Sequence, residues 1–164
     1  WVKPGTPGLE HRIGGIEKAD GTGHISYDAD NHDKMVRLRA EKVQRVADDI
    51  PPLVLDGADS GDVLVVGWGG TYGAITAAVE LAQEQGKQVT AVHLRHLNPL
   101  PKDLGPLFKR FKRVLVPEIN AGQLIKVLRA EYLVDAVGFN RVRGQPLHVQ
   151  ELLSAIDGLI EVKS

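Results

Sequence analysis

The stretch Asp62–Ala78, DVLVVGWGGTYGAITAA, decides how this chain folds. Val63–Val66 is a continuous apolar run in which three of the residues are β-branched. A run that short reads as a strand buried on both faces, as in a parallel sheet. Gly67, Gly69, Gly70 and Gly73 follow at once. Glycine tolerates positive φ and lets another backbone come close, so the spacing predicts a tight strand-to-helix turn. Thr71 is the expected N-cap, and Ala74–Gln85 has helical composition. A glycine turn feeding a helix leaves free N–H groups and the positive end of a dipole facing one crevice.

A dinucleotide fingerprint needs G-x-G-x-x-G and an acidic residue ending the next strand. Gly67, Gly69 and Gly73 are one residue too widely spaced, and the next strand ends near His93 and Arg95. An arginine there suits a 2′-phosphate, but the glycines stay out of register. A turn that packs helix against sheet explains the motif more simply.

Downstream, three more strand–helix units are expected. Strand 88–94 is followed by a short helix over 102–111, weakened by Gly105 and Pro106. Strand 113–116 precedes a helix over 122–134. Strand 137–142, parallel or an antiparallel edge, precedes a helix over 149–160. Alternation of this kind implies right-handed crossovers. Residues 62–164 therefore read as an open, mostly parallel three-layer α/β/α domain. Upstream, residues 31–61 read as a helix over 31–50 and a connection. Met35, Leu38, Val43, Val46 and Ile50 fall near one face of that helix, and Pro51–Pro52 end it. The segment 56–61 is expected to be loop. Residues 1–30, rich in Gly and Pro and starting at Trp1, read as an irregular arm and as linker-like chain cut from a longer polypeptide.

The 164 residues carry 20 basic against 21 acidic groups. That balance provides no electrostatic case for nucleic acid or an anionic membrane. No apolar run approaches the ~20 residues of a membrane span. There is no cysteine, hence no thiolate nucleophile and no cluster ligation by this chain; a reducing cytoplasm is the expected setting. His11, His24 and His32 have spacings that match no ligand pair, so no metal is expected. Asp28, Asp30, Asn31 and Asp33 lack the glycine and terminal glutamate of a calcium loop and read as a helix start. Lys109, Arg110, Lys112 and Arg113 form one basic cluster, best explained as a solvated turn.

In an open parallel sheet, ligands gather beyond the carboxyl ends of the strands. The candidate crevice or domain interface is therefore Gly67, Gly69, Gly70, Thr71, Tyr72, Gly73, Arg95, His96, Glu118, Asn120 and Gln123. Glu118 and His96 make an acid–base pair only if their loops meet. No Walker loop, nucleophile elbow or H-E-x-x-H is present. No residue is assigned to catalysis, cofactor or metal.

GWGGTYGAITAAVELA, LRHLNPLP and VLVPEINAGQLIKVLR together resemble the C-terminal, transketolase C-terminal-like domain of the α subunit of 2-oxoacid:ferredoxin oxidoreductases, the 2-oxoglutarate enzyme in particular. EHRIGG and HISYDADNHDKMVRLRAEKV resemble the segment before it. The resemblance implies a whole enzyme that oxidatively decarboxylates a 2-oxoacid to an acyl-CoA and passes electrons to ferredoxin. It implies thiamine diphosphate, magnesium and an iron–sulfur cluster, with CoA as substrate, held outside this domain. The implied partners are the remaining α-subunit domains, the β subunit and ferredoxin. The expected role of this domain is assembly and positioning; the alternative is an autonomous small-molecule or nucleotide-binding module built on residues 67–73.

Overall fold

The structure, a computed structural model, describes residues 2–10 and 14–161. It divides into two compact units, Trp1–Arg45 and Val46–Ser164. In the second unit the strands are β1 (Leu55–Asp56), β2 (Gly61–Trp68), β3 (Val89–Leu94), β4 (Phe111–Glu118) and β5 (Ala136–Asn140). They form one sheet in the order β1-β3-β2-β4-β5. All pairings are parallel except β1 on β3. The helices of this unit are α2 (Tyr72–Glu84), α3 (Leu104–Phe108), α4 (Gln123–Tyr132) and α5 (Val149–Glu161); α1 (Ala29–Arg45) belongs to the first.

Successive side chains of a strand point to opposite faces, so an unbroken apolar run fills two layers at once. Val63 and Val65 pack with Ile75 and Val79 of α2 and with Leu152 and Ile156 of α5. Leu64 and Val66 pack with Leu104 and Leu107 of α3 and with Leu124 and Leu128 of α4. These side chains are almost fully buried, each contributing about 1.5–3 kcal/mol of transfer free energy.

The chain leaves β2 for β3 on one side, then returns past β2 to β4 and β5 on the other. The switch point therefore lies between β2 and β4. Their ladder runs from Gly61↔Phe111 to Val65↔Leu115 and stops. The β2–β3 ladder continues to Trp68↔Leu94, and β4–β5 to Glu118↔Asn140. The two central strands part just before Pro117, which has no N–H to donate to a ladder.

Several elements differ from expectation. The stretch 56–61 is not all loop, since Asp56 and Leu55 pair antiparallel with β3. The antiparallel edge is β1, and the last strand is parallel. β4 is longer than expected because Phe111 and Lys112 at one end and Pro117 and Glu118 at the other join it. The helix expected over 102–111 shrinks to five residues around Gly105 and Pro106.

In the first unit α1 starts two residues early, where Asp28 Oδ1 accepts the Asn31 N–H at 2.7 Å. It stops at Arg45, and Val46–Asp48 form a 3₁₀ turn ahead of Pro51. No α1 residue is buried. Glu17 accepts from both Arg39 guanidinium nitrogens, at 3.0 and 3.2 Å, and lies 2.7 Å from His32 Nδ1. The Arg39 bonds, then His32, pull the Glu17 carboxyl down to about 2. Of the three histidines, His11 lies outside the described residues.

Candidate functional site

The carboxyl ends of the strands carry three loops, and each uses its polar groups differently. After β2, Gly69 takes φ +57, where only glycine sits without strain. Gly67 is buried, and a Cβ there would lie 2.5 Å from Ile75 Cδ1 and 3.1 Å from Thr71 Oγ1. That glycine lets α2 close down on β2. Gly70 and Gly73 are different. Both have ordinary φ, both are exposed, and a Cβ on either would meet nothing within 4 Å. Neither the turn nor internal packing requires glycine at these two positions.

Thr71 occupies the N-cap position but does not cap α2. Its hydroxyl donates to Trp68 O at 2.8 Å and accepts from Trp68 N at 3.1 Å, closing the turn back on β2. The expectation of a capping side chain is corrected, because the 3₁₀ turn Gly69–Thr71 aims the hydroxyl at the strand. The start of α2 has no side-chain cap.

After β4 the reverse holds. Glu118 is fully buried and four donors converge on its oxygens: Trp68 Nε1 at 3.3 Å, Asn120 Nδ2 at 3.1 Å, Leu124 N at 2.9 Å and Ile125 N at 3.1 Å. Asn120 Oδ1 accepts from Gly122 N at 2.8 Å and Gln123 N at 3.0 Å. The orphan donors at the start of α4 are thereby satisfied from within, where the dipole favours a carboxylate. Gln123 is exposed. Glu118 and Trp68 thus bridge the gap where β2 and β4 part, and Glu118 forms no pair with His96. Its bonds run across the switch point to β2, whereas His96 follows β3 on the far side of β2.

His96 instead joins Tyr72, His93 and Arg95 in a groove of about 620 Å³ walled opposite by Ile50–Asp56. Tyr72 meets the His93 ring edge-on at 5.1 Å. His93 Nδ1 is shielded from solvent and has no hydrogen-bond partner. Burial, then the nearby Arg95 charge, pushes the His93 pKa below its usual range. Sequence reasoning missed Trp68 as a partner of Glu118 and the Pro51–Leu53 wall; the Pro-Pro pair, which favours extended chain, was the available signal for the second. In the basic cluster, Arg110 pairs with Asp59 at 3.2 Å and Lys112 with Asp62 at 2.8 Å, so two of the four charges are used at the turn.

The donor set does not fit the metal or cluster chemistry that the resemblance implies for the whole enzyme. The sequence has no cysteine. Among the described residues no three His, Cys, Asp or Glu converge to hold an ion, and the buried carboxylate at the strand ends is committed to four protein donors. No helix among them is long and apolar enough to cross a membrane.

A doubly wound α/β domain whose switch point is closed by its own side chains is thus the class defined by fold and rim. Residues 61–152 match Pyruvate:ferredoxin oxidoreductase core domain II, and the chain belongs to that family. It is 46% identical over 150 residues to the 2-oxoglutarate oxidoreductase subunit KorA of Mycobacterium tuberculosis, covering 91% of this chain and 23% of that protein. A structure of the 2-oxoglutarate:ferredoxin oxidoreductase from Magnetococcus marinus, with 2-oxoglutarate, coenzyme A and succinyl-CoA bound, superposes with a TM-score of 0.89. That match is 29% identical and covers 98% of this chain and 28% of that one. A split-gene transketolase chain shares the fold at TM-score 0.50 and 20% identity, over 64% of this chain and 41% of that one. The chain spans about a quarter of the length of these two oxidoreductase relatives.

Proposed function

We propose that this chain is the non-catalytic assembly and positioning domain in the α subunit of a 2-oxoacid:ferredoxin oxidoreductase, with 2-oxoglutarate as the 2-oxoacid. The whole enzyme would oxidatively decarboxylate its substrate to an acyl-CoA, with electrons going to ferredoxin. Thiamine diphosphate, magnesium and the iron–sulfur cluster would be held by other domains and by the β subunit. The setting is the cytoplasm. The remaining α-subunit domains are the immediate partners of the rim.

The observation that carries this reading is the division of labour at the strand ends. The crevice where a doubly wound sheet takes a ligand is filled by Trp68 and Glu118. Beside it, Gly70 and Gly73 leave helix-start backbone bare with no internal reason to do so. A bare, flat backbone suits close approach by another protein surface. The competing reading, an autonomous small-molecule or nucleotide module on residues 67–73, has the uncapped start of α2 in its favour. Calorimetry on the fragment with thiamine diphosphate, CoA and nicotinamide cofactors separates the two. The assembly role predicts no binding in the micromolar range, and micromolar affinity for any of them would overturn it.

A further inference from the structure

Resting on that reading, the groove beside the rim assigns a partner chemistry. One wall is the α2 stripe Tyr72, Thr76, Glu80, spaced four residues apart and so lying on one helix face. The other is the extended chain through Pro52 and Val54, the latter 86% exposed. From Tyr72 to Glu80 the helix rises ~12 Å, which matches about four residues of extended chain. The two ends differ in charge. At the Tyr72 end stand Arg95 and His96, both exposed and without a hydrogen-bond or ion-pair partner among the described residues. At the other stand Glu80 and Asp56, whose carboxylates are likewise unpaired. Between them the walls are mostly apolar, with Leu53, Val54, Ile75 and Val92, and Thr76 is the polar exception.

We propose that this groove seats an extended protein segment of about four residues, acidic at the Arg95–His96 end, apolar in the middle and basic at the Glu80–Asp56 end, supplied by the larger enzyme. A short extended segment with opposite charges at its ends answers both ends of the groove. His93 adds a polar atom: with Nδ1 buried and unpartnered, Nε2 is the ring nitrogen left to meet a polar group of the segment.

The test uses the assembled full-length enzyme carrying a photo-crosslinking phenylalanine analogue in place of Val54, in the groove, or of Gly70, on the rim. Crosslinked peptides are identified by mass spectrometry. The expected result is that position 54 captures one segment of the enzyme with the acidic–apolar–basic order. Arg95→Glu should then weaken assembly by roughly fivefold, and reversing the acidic residue of the captured segment to Lys should restore it. Arg95→Gln, which removes the charge without reversing it, should give a smaller loss with unchanged melting temperature. Capture at position 70 but not at 54 overturns the groove proposal and leaves the assembly reading standing. Capture at neither position overturns both. A captured segment without the acidic residue, or assembly indifferent to Arg95→Glu, overturns the groove proposal alone.

Discussion

Gly67 shows how a single hydrogen in place of a methyl sets the geometry of the rim. Ile75, Thr71 and His93 close to 2.5, 3.1 and 3.3 Å of where its Cβ would stand. Gly67→Ala forces the buried Ile75 Cδ1 to shift in a packed core, and overpacking of that kind costs about 1–3 kcal/mol. Urea denaturation of the variant should show that loss with little change in the slope. His93 makes a second residue-scale prediction. Its pKa is lowered in the folded state because burial disfavours the charged ring. The unfolded chain then binds more protons in the window just below the ordinary imidazole value of about 6.5, so stability rises with pH there. The penalty is absent above that value and fully present below the folded pKa. His93→Leu should flatten the acid arm of a stability–pH profile just below the ordinary imidazole value of about 6.5; an unchanged arm would count against this origin.

At the scale of elements, the two helix starts at the rim are opposites. The start of α4 is closed by Glu118 and Asn120, and the start of α2 is left open. Glu118→Ala strands the Leu124 and Ile125 N–H groups and cuts the link to Trp68. Leaving buried donors unpaired costs about 1–3 kcal/mol each, so a loss of roughly 3 kcal/mol is expected in chemical denaturation, with faster amide exchange in the first turn of α4. Most elements were legible because β2, β3 and β4 are built on short β-branched runs and each long helix carries one apolar stripe. β1 was not, since two residues make no period. The full length of β4 was not, because Pro117 reads as a strand stop unless the neighbouring strand has already turned away. α1 was legible as a helix, but its expected apolar face is exposed at Leu38 and Val43.

On the scale of the whole molecule, bare glycines separate folding from association. A Cβ at Gly73 meets nothing within 4 Å, the position is exposed, and Gly73→Leu removes a poor helix former. Stability should hold or rise by up to about 1 kcal/mol, while association with the remaining α and β polypeptides falls; analytical ultracentrifugation of the reconstituted enzyme reads the second effect. A stable complex at wild-type affinity would remove the interface role of this rim. The amino-acid order alone settled the layered α/β architecture, because apolar periodicity is local and each β-branched run already says which faces it must bury. It also marked the rim, since strand ends and glycine turns are adjacent in sequence. Which rim residues act together was decided only in three dimensions. Glu118 met Trp68 rather than His96 because β2 lies between β3 and β4, and strand order is a property of the folded sheet that no spacing along the chain encodes.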